Sequence, residues 1–277
     1  MNTVPVFPIA IGGVPEFWGK LRSARVGFLA LDYDGTVAPF HVSRMMARPM
    51  AGIPELIVQI RDRTNGAVAV ISGRPLSELT RLLDIPGIMM VGSHGYEFRY
   101  PDGTLETRKP LYVQREGLYR ALDTGFRRGL ISRLEAKIAA LALHTRGQPE
   151  NEALSMEGWA MENWTPIALA HNLEVRRFNG GVELRCPGMD KGSALQIILS
   201  RQPDDAFSVY IGDDETDEDA FRFLKGRGIG IRVGHPDAPT SASGFLPDIQ
   251  AVKDFLRGWA ALAPEGLSGG VTWKREG

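Results

Sequence analysis

The sequence predicts an α/β protein: a mainly parallel sheet flanked by helices and interrupted once by an inserted α+β module. Three observations predict it. Short apolar runs at 26–31, 67–71, 88–91, 207–211 and 229–233 are partly β-branched or aromatic, and Asp, Ser or Gly ends each one. Strands buried on both faces read this way. Between them, Ile53-Leu56-Ile57-Ile60, Leu76-Leu79-Leu82-Leu83 and Ala194-Leu195-Ile198-Leu199 recur at helical spacing, and strand–helix–strand repetition requires crossovers, hence a parallel sheet.

The alternation stops between 105 and 187. Two helical segments lie there with strand-like stretches at 138–145, 173–178 and 182–186, which suits an antiparallel sheet with helices on one face. Turn-forming residues, Pro101-Asp102-Gly103 and Pro187-Gly188, edge this stretch and suit a hinge. The expected division is a discontinuous core of 1–104 and 188–263, an insert of 105–187 and a Gly/Ser-rich C-terminal tail of 264–277.

With 277 residues, 43% apolar and 23% charged, the chain has the composition of a globular protein able to bury a sizeable core. Its net charge is -1 and it has no dense basic run, so a nucleic-acid partner is not expected and a small molecule is. The single cysteine, Cys186, excludes an intrachain disulfide and reads as a small apolar filler. No apolar run approaches the ~20 residues that span a bilayer, and no basic, apolar leader opens the chain. The expectation is a cytoplasmic protein without a membrane partner; the oligomeric state is not written in the sequence.

Chemistry concentrates where the apolar runs end. Asp32-Tyr33-Asp34-Gly35-Thr36 follows the first run and so falls at the carboxyl edge of the sheet, where ligands of open α/β sheets bind. Gly35 allows a turn that brings two carboxylates toward one site, one to attack and one to move protons. A solvated turn reads the same way in isolation. A second acidic run, Gly212 to Asp219, leaves another buried strand at the same edge. Carboxylates so concentrated repel one another, and a hard dication with oxygen ligands, Mg²⁺ above all, relieves that. An acidic helix start is the competing reading. Ser72-Gly73-Arg74 and Asp190-Lys191-Gly192 each open a helix and add donors and positive charge for a phosphoryl group.

Taken in order, Asp32-Tyr33-Asp34-Gly35-Thr36, Ser72, Lys191 and Gly212-Asp213-Asp214 make the chain resemble the haloacid-dehalogenase-like (HAD) phosphatase superfamily over about 26–254. The resemblance implies a Rossmann-like parallel-sheet core with an inserted α+β cap domain. It also implies that Asp32 is the phosphorylated nucleophile and Asp34 the acid and base. Ser72 and Lys191 would hold the phosphoryl group, and Mg²⁺ would sit among Asp32, Asp34, Asp213, Asp214 and Asp217.

Within the insert, Glu135-Ala136-Lys137, His144-Thr145-Arg146 and Gly181-Val182-Glu183-Leu184-Arg185 resemble the sugar-lining segments of the trehalose-6-phosphate phosphatase subfamily, and outside it Gly92 to Glu97 and Gly212 to Phe221 also resemble that subfamily's sequence. The implied substrate contacts are Arg74, His94, Glu135, Lys137, His144, Arg146 and Glu183, and the implied substrate is a phosphorylated disaccharide. Two departures stand out. Asn179 replaces a lysine frequent in that subfamily, and Thr145 replaces a tyrosine, which takes an aromatic wall from the pocket or its flank. Another capped sugar phosphatase, for sucrose phosphate or a mannosyl phosphoglycerate, has the same core chemistry. A non-enzymatic phospho-aspartate signalling module is the alternative of a different class; Asp34 and the insert argue against it.

Overall fold

The computed structural model describes residues 9–10, 15–178, 180–234 and 239–265. The residues form two compact units, one of Met1–Glu106 with Asp190–Gly277 and the other of Thr107–Met189. Most of the tail expected from 264 onward, and Asn179, lie outside the described residues.

The strands of the first unit are β1 (Ile9–Ala10), β2 (Gly27–Leu31), β3 (Val68–Ile71), β4 (Met89–Gly92), β5 (Glu97–Arg99) and β6 (Leu105–Thr107). Those of the second are β7 (Leu134–Ala136), β8 (Ala140–His144), β9 (Glu174–Phe178) and β10 (Gly181–Arg185). The chain then returns to the first unit with β11 (Phe207–Gly212), β12 (Ile229–Val233) and β13 (Gly244–Leu246). Helices α1 (Pro15–Ser23), α2 (Ile53–Thr64) and α3 (Leu76–Leu82) precede the insert, α4 (Tyr112–Arg127) and α5 (Glu150–His171) lie in it, and α6 (Lys191–Leu199), α7 (Glu218–Leu224) and α8 (Ile249–Leu262) follow.

Among the described residues the large sheet has the order β1-β13-β12-β11-β2-β3-β4-β5-β6, parallel from β1 to β4. Strand β2 is Gly-Phe-Leu-Ala-Leu and every residue of it is buried, because helices cover both faces of a parallel sheet. Its partner β11 pairs Phe207 with Gly27 through to Ile211 with Leu31. This register ends both strands at the same level and delivers Asp32 and Gly212 side by side. Helix α2 buries Ile53, Leu56, Ile57, Ile60 and Thr64, one stripe at i, i+3, i+4 and i+7. Asn65, at φ 54°, ends it with its N–H on the Arg61 carbonyl, the left-handed stop that asparagine tolerates. On helix α8 the Asp248 carboxylate accepts from Ala251 N–H at 2.8 Å as the N-cap. Behind it Trp259 stacks on Phe207 with ring centroids 6.3 Å apart.

Pro101-Asp102-Gly103, expected as a hinge, instead turns between β5 and β6, with Gly103 at φ 86°. The second unit is an antiparallel sheet in the order β7-β8-β10-β9, with helices α4 and α5 packed on it and on each other. Leu141, Leu143, Val182 and Leu184 are buried, while alternation along each strand sends Glu135, His144, Phe178 and Glu183 to the opposite face.

Candidate active site

The carboxyl edge of β2 and β11 carries the acidic residues. Asp32, buried, donates its backbone N–H to the Ile211 carbonyl at 2.8 Å, which ties the end of one strand to the next. Gly35 sits at φ +77°, and a Cβ there would lie 2.2 Å from the Asp213 carboxylate. Only glycine lets the turn after Asp34 pass so close to Asp213. Lys191 opens α6 behind the N-cap Asp190, whose carboxylate accepts from Ser193 N–H at 2.7 Å. Its ammonium, itself buried, lies 2.8 Å from Asp32 and 2.7 Å from Asp217.

Asp217 is fully buried and saturated with donors. Lys191 and the Tyr210 hydroxyl donate to its Oδ1, and the backbone N–H groups of Asp213 and Asp214 to its Oδ2 at 3.0 Å each. It therefore orders the loop. Tyr210 went unread in the sequence because it sits inside an apolar strand, and only the returning 3-10 turn at Glu215–Asp217 gives its hydroxyl a partner.

Asp32, Asp213 and Asp217 bring one carboxylate oxygen each within 4.8 Å of one another. Among the described residues, Asp213 Oδ1 is buried without a hydrogen-bond partner. Burial, then Asp214 and Asp217, push Asp213 up to about 8. Burial also raises Asp32 well above the usual carboxylate range, against the pull of Lys191. One ammonium does not balance this cluster, and its donors are all hard oxygens. The set fits a divalent cation of the Mg²⁺ type.

Two aspartates expected as further ligands are engaged elsewhere. Asp34 lies outside the three-carboxylate group and is gripped by Arg74, whose Nε and Nη2 donate to its two oxygens at 2.7 Å each. Asp214 caps the turn that follows it, accepting from Thr216 N–H at 2.8 Å and Thr216 Oγ1 at 2.7 Å. Burial would raise its pKa, but Lys191 and the Thr216 donors outweigh that and hold it below the usual range.

Arg74, expected on the substrate, is buried and committed to protein groups. Besides Asp34 it reaches Glu78 at 3.4 Å and lies over the Tyr33 ring, 5.5 Å from its centroid. Glu78 in turn receives Arg44. Ser72 is buried, and its Oγ accepts from Arg74 N–H at 3.1 Å. His94, at φ 55°, donates its N–H to the Ser72 carbonyl at 3.1 Å. Its ring covers Gly73, where a Cβ would lie 2.5 Å from Nε2. His94 thus joins the Ser72 loop, and Gly73 is what admits it.

The insert gathers its own polar set on one face of its sheet. Lys137 donates to Glu183 at 2.8 Å and lies 4.0 Å from Glu135, and His144 Nε2 lies 2.8 Å from Glu135. Glu135 and Glu183 both stand opposite Ala142, a small residue between two posts. Arg146 runs along Gly180, whose Cβ would lie 3.1 Å from its Nε. Thr145 points the other way, donating to Glu157 of α5 at 2.8 Å. Thr145 therefore serves the helix side of the sheet.

A model of the trehalose-phosphatase family matches residues 30–250. The chain belongs to that family. Among similar proteins, a trehalose 6-phosphate phosphatase of Zea mays is 29% identical over 254 residues, covering 82% of this chain and 68% of the maize protein. A trehalose-phosphate phosphatase of Mycobacterium avium is 33% identical over 233 residues, covering 78% of this chain and 56% of its own length. The chain thus spans little more than half of the mycobacterial relative. The C-terminal domain of Candida albicans trehalose-6-phosphate phosphatase superposes with a TM-score of 0.77 at 19% identity, covering 94% of this chain and 100% of that one, a likeness of fold. Both the maize and the mycobacterial relative are named as phosphatases of trehalose phosphate. No helix among the described residues of this trehalose-phosphatase family chain is long and apolar enough to cross a membrane.

Proposed function

We propose that this protein hydrolyses trehalose 6-phosphate to trehalose and phosphate in a Mg²⁺-dependent reaction through a phosphorylated Asp32. The observation that carries the proposal is the cluster of Asp32, Asp213 and Asp217 about Lys191 at the carboxyl edge of β2 and β11, in a chain of the trehalose-phosphatase family.

Asp32 attacks phosphorus, the P–O bond to the sugar breaks, and Asp34 delivers a proton to the leaving oxygen. Asp34 then takes a proton from the water that attacks the phosphorylated Asp32, releasing phosphate and restoring the carboxylate. Lys191 and the Ser72 hydroxyl bind the phosphoryl oxygens, the first by charge and the second as a donor. Asp32 and Asp213 would hold a divalent cation, whose charge would stabilise the phosphoryl oxygens when bound. Arg74 keeps the Asp34 carboxylate in one orientation, a supporting role in place of direct substrate contact.

In the insert, Glu135, Lys137, His144, Arg146 and Glu183 read the sugar. A disaccharide edge alternates hydroxyl donors and acceptors, and carboxylates paired with ammonium or guanidinium groups satisfy both kinds. The domain roles follow: 188–263 with 1–104 carries the phosphoryl chemistry, and 105–187 is the cap that confers substrate choice.

The test is phosphate release from trehalose 6-phosphate, sucrose 6-phosphate, glucose 6-phosphate and p-nitrophenyl phosphate, each with Mg²⁺ and with chelator. The proposal expects trehalose 6-phosphate to have the highest kcat/KM and chelation to abolish all release. A preference for another sugar phosphate would remove the substrate assignment and leave the phosphatase. Release undiminished in excess chelator would remove the metal.

A further inference from the structure

Three small residues, Ala140, Ala142 and Gly181, form the floor of the insert's polar sheet face, and Glu135, His144 and Glu183 stand around it. One aromatic residue shares this face. Phe178 is the only Phe, Tyr or Trp within strands β7 to β10, and it is half-buried.

Its position depends on a glycine. Strands β8 and β9 flank β10 on opposite sides, so residues on them start roughly 9.5 Å apart, two strand spacings. Yet the ring centroids of His144 and Phe178 are 5.5 Å apart, at an interplanar angle of 76°. Gly181 stands opposite both. At φ +158° it is held where a Cβ would meet the Leu143 carbonyl oxygen at 1.9 Å and Phe178 Cζ at 3.0 Å. The two rings lean over the gap that Gly181 leaves. They make a continuous wall from Phe178 through His144 to Glu135, beside the pair of Lys137 and Glu183.

We infer that Phe178 is a specificity-determining residue, its ring stacking on the C–H face of the sugar whose hydroxyls Glu135, Lys137 and Glu183 hold. The inference rests on the sugar-phosphatase reading above. A pyranose carries hydroxyls around its rim and C–H bonds on its faces, so a site built of charges alone leaves those faces without a partner. An aromatic ring offers a broad apolar surface and a negative π-face that attracts polarised C–H groups. Small-molecule sites join such a wall to a few placed polar groups, the combination found here. Monoesters without a sugar have nothing to present to the ring.

The test compares Phe178→Leu, Phe178→Tyr and wild type on trehalose 6-phosphate and p-nitrophenyl phosphate, with thermal melting of each variant. Phe178→Leu keeps apolar bulk and removes the ring, and it should raise KM for trehalose 6-phosphate by about 2- to 12-fold, the range of one aromatic contact. Its kcat should hold within about twofold, and p-nitrophenyl phosphate should be unaffected. Phe178→Tyr should match wild type. Equal KM in Phe178→Leu and wild type, or parallel losses on both substrates, overturns the inference.

A second readout needs no turnover: ring-current shifts of trehalose protons on titration with wild-type protein, absent with Phe178→Leu. Shifts that persist in Phe178→Leu overturn the inference as well. Should the wild type release no phosphate from trehalose 6-phosphate, the activity reading itself fails and takes the inference with it. Activity in the wild type with an indifferent Phe178→Leu removes the inference alone.

Discussion

The ammonium of Lys191 lies 2.8 Å from the Asp32 carboxylate, and both side chains are almost fully buried. Burial alone would lower the lysine's pKa, but Asp217, Asp32 and Asp214 hold it well above its ordinary value. It is the cation against which the acidic edge is assembled. Replacing it with methionine leaves carboxylates buried without their partner, which costs about 3–5 kcal/mol for a broken buried pair. Urea unfolding of Lys191→Met in chelator should show that loss, and Mg²⁺ should recover part of it. A variant as stable as wild type without metal would mean that Lys191 does not compensate the cluster.

The acidic edge also sets a pH dependence. In the folded, metal-free protein Asp213 titrates at about 8, whereas in the unfolded chain an aspartate titrates near pH 4. Between those values the folded state holds a proton that the unfolded state has lost, so stability falls as pH rises. The contribution is fully present below about pH 4 and gone above about 8. Asp32, raised in the same direction, adds to it. Melting temperature in chelator should therefore drop toward pH 8, and the increment given by Mg²⁺ should grow over the same interval. An increment independent of pH would contradict the cluster as the cation's site.

Arg74 fixes Asp34 through two parallel hydrogen bonds of 2.7 Å. Arg74→Ala frees the carboxylate without removing it, so turnover on a sugar phosphate should fall, but by less than the roughly 10²- to 10⁴-fold that lost acid–base catalysis costs. Steady-state kinetics of Arg74→Ala beside Asp34→Asn measure this. An Arg74→Ala defect confined to KM would return Arg74 to the substrate.

In the insert, Lys137 and Glu183 are paired at 2.8 Å with both side chains over nine-tenths buried. Lys137→Ala and Glu183→Ala should each lower kcat/KM for trehalose 6-phosphate by about 1.5–3 kcal/mol, the value of a charged hydrogen bond. Because the two share one hydrogen bond, the double variant should lose less than the sum. p-Nitrophenyl phosphate should register little change, and equal losses on both substrates would indicate a damaged insert instead of a sugar site.

Much of this arrangement is legible in the amino-acid sequence. Strands β2, β3, β4, β11 and β12 announce themselves as short, mostly apolar runs, and those of β2, β3, β4 and β11 end where a loop of the candidate site starts. The short strands were not legible. β1, β13 and β7 span two or three residues, too few for any periodicity, and neighbours in the sheet define them. Asp32, Asp213 and Lys191 could be named from spacing at the ends of predicted elements. The division of labour among the acids could not. Whether Asp34 faces a metal or an arginine depends on Arg74, forty residues away, and Asp217 differs from Asp213 through Lys191, Tyr210 and two backbone N–H groups that donate to it. The sequence places Phe178 at the end of a strand-like stretch, and only the pairing of Gly181 with both His144 and Phe178 locates its ring.

The most direct measurement is phosphate release from trehalose 6-phosphate by the Mg²⁺-loaded wild type and by Asp32→Asn, with circular dichroism to verify that both are folded. An amide cannot act as the nucleophile and is a poorer ligand than the carboxylate it replaces. The account predicts steady release by the wild type and none above background by a folded Asp32→Asn. Release by Asp32→Asn at a rate near wild type, or no release by the wild type, would contradict it.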